Sequence, residues 1–386
     1  MNAPTAGAGR PGDTTPRPGS RREHPMNTHE VNQPAPDTAT GPPPPPPPDR
    51  RARSWLGRLL AERSVRITLL AWLAANLAVV FLARGHLPFE RPAVAGRSYL
   101  AQLAAPNVAM LEVLGLIAVA FALTRKRVIP DVAARAPDRV IAARETAALA
   151  GYGIAGLVGG WAVGRALGFH PISFHLAGTL VGSTAPVSRA EVAVWAAYNF
   201  TVYAVAPYCY FRYRRRYTAT QLNLHSANLR NDLLVIVVIL ALDTVIELTG
   251  ASSAILHISL RQLALGAPLT FAIYFAGTVL PTMMFIQCLL VPRYLRLTGS
   301  TATTVILGGV TYTVLHCFDA WLAWTTPTAI ALSVIFLFLQ YLGPGMVKTV
   351  LTLRTGNAWV HVWAYHAISP HTIVDTPLIA RIFRIG

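Results

Sequence analysis

Blocks of apolar residues, separated by short polar or basic stretches, occupy the chain from about residue 67 onward. They are longer than the core of a soluble domain requires and approach the roughly 20 residues with which a helix crosses a bilayer. The pattern predicts an all-α, polytopic transmembrane helical bundle of about nine spans. The predicted spans are residues 67–83, 107–124, 146–164, 191–211, 233–249, 269–290, 301–318, 327–342 and 357–375.

The first 55 residues have a different composition, rich in Pro, Gly and Thr, and they include seven consecutive prolines, Pro42–Pro48. Such a segment cannot bury apolar surface and lacks the apolar core of a signal peptide. We interpret it as a disordered Pro-rich tail, in which Met26 is an alternative to Met1 as the initiating residue. The predicted organisation is this tail (1–55), accessory transmembrane helices (56–189), a membrane core (190–376) and a C-terminal tail (377–386).

The net charge of +16 could indicate nucleic-acid binding, but the basic residues lie between the apolar blocks and not along one amphipathic face. This arrangement is typical of topology signals in a lipid bilayer, and no nucleic acid is predicted. The clusters are 51–66, 125–144, 212–216, Arg293 with Arg296, and Lys348 with Arg354. By the positive-inside rule these loops and the N-terminus are cytoplasmic. Arginine supplies almost all of the charge, as in GC-rich bacterial genomes, so we predict a multi-pass protein of a bacterial inner membrane.

Ionisable residues inside the apolar blocks are few, and each costs about 2.5–3.5 kcal/mol on insertion scales, so each is a candidate functional residue. The candidates are Asp243 and Glu247, one turn apart on the fifth predicted span, together with His316, His366, His371 and Asp375. We interpret Glu112 as isolated. The three cysteines show no pairing or CxxC spacing, so no cofactor or metal is predicted.

Two segments contain residues with motif-like spacing. In LPTMMFIQ, Pro281 precedes Thr282, Met283 and Gln287, and YTVLH ends on His316, 29 residues after Gln287. This arrangement resembles the CPBP family of intramembrane proteases, which includes Abi and CAAX-processing enzymes and carries EExxxR after a proline, then FxxxH. On that pattern Thr282 and Met283 replace the glutamate pair, and Gln287 replaces the arginine.

The family's third motif, HxxxN or HxxxD, is less clear in this chain. The segment LRTGNAWVHVWAYH ends on His366, at about the expected position. His371 and Asp375 together match the pattern HxxxD. The resemblance covers about residues 190–376 and implies a helical membrane core. In the family the second glutamate is thought to activate water, and the histidines position it and stabilise the oxyanion.

Thr282 and Met283 cannot accept a proton from water, so the resemblance implies a degenerate pseudo-protease that binds a membrane-embedded peptide or a lipidated protein. In an alternative, an active endopeptidase is rebuilt from His316, His366 and a carboxylate such as Glu247 or Asp243. A third hypothesis is a small-molecule permease.

A metal site built from histidines is disfavoured by helical geometry. Residues five apart on an α-helix are rotated by about 500°, so His361, His366 and His371 would lie on drifting faces. The sequence predicts no particular oligomeric state.

Overall fold

The computed structural model describes residues 55–89, 96–174, 176, 187–250 and 253–386. Helices and turns make up this part of the chain, which contains no strand, so the predicted all-α class is confirmed. The predicted disordered tail lies outside the described residues, apart from Trp55. The predicted C-terminal tail contains most of the last helix.

The helices follow one another along the chain with short connections. They are α1 (Trp55–Ala61), α2 (Arg63–Ala83), α3 (Tyr99–Leu123), α4 (Arg139–Leu167), α5 (Arg189–Asn199), α6 (Ala206–Cys209), α7 (Leu229–Thr249), α8 (Leu260–Tyr274), α9 (Val291–Thr298), α10 (Thr301–Val314), α11 (Pro327–Thr355), α12 (Ala358–His361) and α13 (Val374–Ile382). Wider, π-helical segments lie at Phe200–Val205, Tyr210–Arg214, Phe275–Val279, Thr282–Leu290, Val362–His366 and Ile368–Ile373. Single 3₁₀ turns lie at Ala133–Arg135 and Ser253–His257.

Among the described residues, five helices are long and apolar enough to cross a membrane. They are Arg63–Ala83, Tyr99–Leu123, Arg139–Leu167, Leu260–Thr298 and Pro327–Thr355. Their lengths and compositions are compatible with an integral membrane protein. The predicted count of nine spans is not confirmed.

The other four predicted spans are not among these five helices. Two of them, 191–211 and 357–375, combine short α-helices with π-helical segments, as Leu260–Thr298 also does. Helix α7 has 21 residues but carries Arg230, Asp232, Asp243 and Glu247. Helix α10 is apolar but has only 14 residues.

Helix α11 corrects one topology prediction. The predicted span ends at residue 342, which puts Lys348 with Arg354 in a basic cluster outside it. The helix instead continues through Pro344 to Thr355, and Lys348 is buried inside the bundle. A proline is tolerated there because neighbouring helices can satisfy the freed backbone groups of a membrane helix.

Side chains at the helix starts explain several boundaries. The carboxylate of Asp138 accepts hydrogen bonds from the first backbone N–H groups of α4, and Thr326 caps α11 in the same way. Ser259 and Gln262 form a reciprocal capping box at the start of α8. At the other end of α11, Gly356 has a φ of +65°, which suits glycine.

Among the described residues, helices α10 and α11 make the most extensive contact of any helix pair, and α11 also packs on α3 and α2. The contact between α10 and α11 depends on Gly308 and Gly309 facing Gly345. A Cβ atom on Gly345 would lie 2.7 Å from the Cα of Gly309 and 2.7 Å from the Cβ of Tyr312. The helix backbones therefore approach each other as small residues allow in membrane bundles.

Replacing Gly345 by alanine should lower the stability of the protein by about 1–3 kcal/mol, the usual cost of overpacking. Gly343→Ala is the matched control on the same helix, because its Cβ would meet side-chain atoms only at 3.4 Å or more. Both changes gain the same helix propensity, so the difference between them isolates the clash. Thermal unfolding of the two variants in detergent measures it, and equal stabilities would contradict the close contact.

Candidate functional site

A cleft of about 180 Å³ lies between α3, α7, α10, α11 and the π-helical segments that follow α12. At roughly 30 Å³ for each water molecule, it has room for about six waters. Its polar lining consists of Glu112, Asp243, Glu247, Tyr312, Gln340, Tyr341, Lys348, Tyr365, His366 and His371. Four of the predicted candidates, Asp243, Glu247, His366 and His371, thus meet in one place.

Three carboxylate groups line one part of the cleft. Asp243 and Glu247 share a face of α7, as their spacing indicates, while Glu112 comes from α3. The interpretation of Glu112 as isolated is therefore wrong. Asp243 is 5% exposed, and its Oδ2 has no hydrogen-bond partner among the described residues.

Lys348 is the cation of the cleft, and sequence reasoning missed it. It is 2% exposed, and its Nζ lies 3.6 Å from the ring centroid of Tyr312 and 5.6 Å from that of Tyr365. A desolvated ammonium over a tyrosine face gains a cation–π interaction of about 2 kcal/mol. The sequence signal was present, since Lys348 lies in an otherwise apolar stretch, but the preceding GPG concealed the continuation of the helix.

Three histidines form a column on the π-helical turns. The ring centroids of His361 and His366 are 5.9 Å apart, and those of His366 and His371 are 5.1 Å apart. Hydrogen bonds between residues i and i+5 in a π-helix bring residues five apart to the same side. The predicted drift of these histidines is therefore wrong, although no group of His, Cys, Asp and Glu in the described part of the chain could hold a metal ion.

His371 is the histidine of the cleft that is paired with a carboxylate. Its Nδ1 lies 3.2 Å from Oδ2 of Asp375, one turn later, and both residues are buried. The ring of Tyr274 stacks on the other side of His371 with centroids 4.8 Å apart. The HxxxD pattern therefore corresponds to a contact between the side chains of His371 and Asp375.

His316 lies behind the cleft and is not one of the residues that line it. Its ring stacks on Tyr341 with centroids 3.8 Å apart, and its Nδ1 is 2.7 Å from the carbonyl oxygen of Tyr312. Tyr341 in turn donates a hydrogen bond of 2.5 Å to Asp319, which also accepts one from Ser173. His316 thus supports two tyrosines of the cleft wall.

The positions that resemble the family's first motif are absent from the cleft lining. Thr282 and Gln287 are fully buried on the π-helical segment Thr282–Leu290, and Met283 lies in the core beside them. Gln287 Nε2 donates to Oγ1 of Thr349 at 3.3 Å, and Asn223 donates to the backbone carbonyl of Gln287 at 2.8 Å. This buried region holds an amide where the resembling proteases have a charged group.

No protein-family model, curated protein or solved structure matches the chain. The resemblance to the CPBP family rests on the motif-like residues and stays a prediction. The fold and the cleft define a helical protein, compatible with an integral membrane protein, that has a cleft lined by ionisable residues.

Replacing Gln287 by arginine should destabilise the protein by about 3 kcal/mol or more, because the new buried cation has no carboxylate beside it. Gln287→Met is the control, since it keeps the volume without a charge. If the resemblance is correct, the triple change Thr282→Glu, Met283→Glu and Gln287→Arg should regain stability relative to Gln287→Arg alone. Melting temperatures in detergent test this; a Gln287→Arg protein as stable as Gln287→Met would contradict it.

Proposed function

We propose that the protein is an intramembrane hydrolase that cleaves a membrane-embedded peptide or lipidated protein at the cleft. The observation that carries the proposal is the pair of His371 and Asp375, with His371 lining a space that has room for several waters. An imidazole oriented by a carboxylate is the arrangement with which hydrolases activate a nucleophile. His316 lies outside the lining, so the proposed base is His371 and not the predicted combination of His316 with Glu247.

In the proposed site the carboxylate of Asp375 accepts a hydrogen bond from Nδ1–H of His371, and Nε2 is then the basic nitrogen. In the proposed reaction Nε2 removes a proton from water while the hydroxide forms a bond to the carbonyl carbon of the peptide. The imidazolium then gives this proton to the amide nitrogen, and the C–N bond breaks. One carboxylic acid and one amine are the products, so no further reactant is needed.

Lys348 is the group that stabilises the negative charge of the tetrahedral intermediate. Its ammonium lies over Tyr312, and a preset cation acts on a developing oxyanion without having to reorient during the reaction. His366 lies beside His371 on the same wall and is a second candidate donor. Thr282 and Met283 of the first motif cannot act as a base or stabilise the oxyanion. The proposal therefore assigns these roles to residues of α11 and of the C-terminal segment.

The orientation in the membrane belongs to the same proposal. By the positive-inside rule, the arginine clusters at 125–144 and 212–216 support a cytoplasmic location for those loops. An inner-membrane protein with a cytoplasmic N-terminus fits this arrangement. The substrate then reaches the cleft from within the bilayer.

Replacing His371 by asparagine should lower the cleavage rate of a membrane-embedded reporter by about 10²–10⁴-fold, because the general base is lost. Asp375→Asn should lower it by a similar factor through loss of the imidazole orientation. Since the two groups act as a unit, the double variant should be no slower than either single variant. Proteoliposomes that contain purified protein and a reporter peptide provide the measurement.

Thr282→Ala serves as the control and should cleave at the wild-type rate, since Thr282 does not line the cleft. Cleavage that survives in the double variant would contradict the assigned base. A wild-type protein that binds the reporter and leaves it intact would contradict the hydrolase and support the pseudo-protease hypothesis.

A further inference from the structure

The cleft holds more negative than positive charge. Glu112, Asp243 and Glu247 contribute three carboxylates, and Lys348 is the one lysine or arginine in its lining. Glu112 and Glu247 lie on different helices, yet they are near enough to interact electrostatically. Like charges in a membrane interior are strongly unfavourable unless protons or a cation offset them.

Asp243 provides a second, independent indication of a ligand. Its side chain is almost completely buried and lines the cleft. The Ser369 hydroxyl is near enough to interact with the carboxylate, but no donor among the described residues reaches Oδ2 at hydrogen-bond distance. A buried polar atom without a partner costs about 1–3 kcal/mol. No salt bridge within 4 Å joins Asp243 to Lys348 in the described part of the chain, because the ammonium lies over Tyr312.

The surroundings of these carboxylates suit an organic cation. Tyr341 and Tyr365 line the same space, and tyrosine faces attract ammonium and guanidinium groups. Lys348 demonstrates this preference within the protein, since its own ammonium is held between two tyrosine rings. The cleft thus combines carboxylates with aromatic rings, a combination that recognises an alkylammonium group.

We infer that the cleft binds the cationic side chain of a lysine or arginine in the membrane-embedded peptide, with Asp243, Glu247 and Glu112 as its counter-ions. The choice of a peptide rests on the proposed hydrolase function, whereas the cation site itself does not. An aminophospholipid fits less well, because the phosphate beside its amine would be repelled by the three carboxylates. The site would make cleavage selective for peptides with a basic residue close to the cleaved bond.

Titration calorimetry of the purified full-length protein in detergent tests the cation site with n-butylammonium chloride as the probe. We expect saturable binding to the wild type and no binding of n-butanol, which has the same stem without the charge. Asp243→Asn and Glu247→Gln should each weaken binding by about tenfold or more, since each removes one charge-assisted contact. Glu62→Gln, which removes a carboxylate outside the cleft lining, should bind as the wild type does.

Equal binding of n-butanol, or unchanged affinity in both cleft variants, would overturn the cation site. Glu247 is only half-buried, so its variant keeps the test decisive if Asp243→Asn fails to fold. Competition with n-butylammonium by phosphatidylethanolamine vesicles, but not by phosphatidylcholine vesicles, would show that the site binds a lipid headgroup. That result would overturn the assignment of a peptide side chain as the ligand.

The reporter peptide separates this inference from the hydrolase proposal. With a lysine next to the cleaved bond, we expect cleavage at least about tenfold faster than with methionine at the same position. Equal cleavage rates for the lysine and methionine peptides would overturn the cation site and leave the hydrolase proposal intact. Saturable n-butylammonium binding without any cleavage would support the cation site and contradict the hydrolase.

Discussion

The position of one ammonium group in the interior of the bundle determines how four elements meet. Lys348 on α11 lies over Tyr312 of α10, close to Tyr365 of the C-terminal segment, and faces the α7 residue Asp243 across the cleft. A charge buried in a membrane requires compensation from its neighbours. The helices around Lys348 therefore cannot slide or rotate independently without leaving that charge uncompensated. The close backbone contact through Gly345 also holds α10 and α11 together.

The structure separates two polar regions that the sequence motifs would have joined. Gln287 and Thr282 lie in a buried region supported by Asn223 and Thr349. Neither residue lines the cleft, where Asp243, Glu247 and Lys348 lie.

Hydrophobic patterning was sufficient to predict the all-α class and the apolar helices, because length and composition alone decide whether a helix suits a bilayer. It also placed Asp243 and Glu247 on one helix face. It could not place Lys348, since a proline normally marks the end of a helix and only tertiary packing carries α11 past Pro344. Glu112 was misjudged for a related reason: the proximity of α3 to α7 is a long-range contact that no local pattern encodes.

The wide helical turns around His366 also have a consequence for how the chain can change in evolution. A π-helical turn holds one residue more than the α-helical turn it replaces, so its hydrogen-bond ladder depends on chain length and not on any single side chain. Loss of one codon within such a turn would return it to α-helical bonding while the chain on either side kept its orientation. In an uninterrupted α-helix the same loss would rotate everything after it by about 100°. A change of one residue in length is therefore absorbed locally between His361 and His371, and the helix that carries Asp375 keeps its direction.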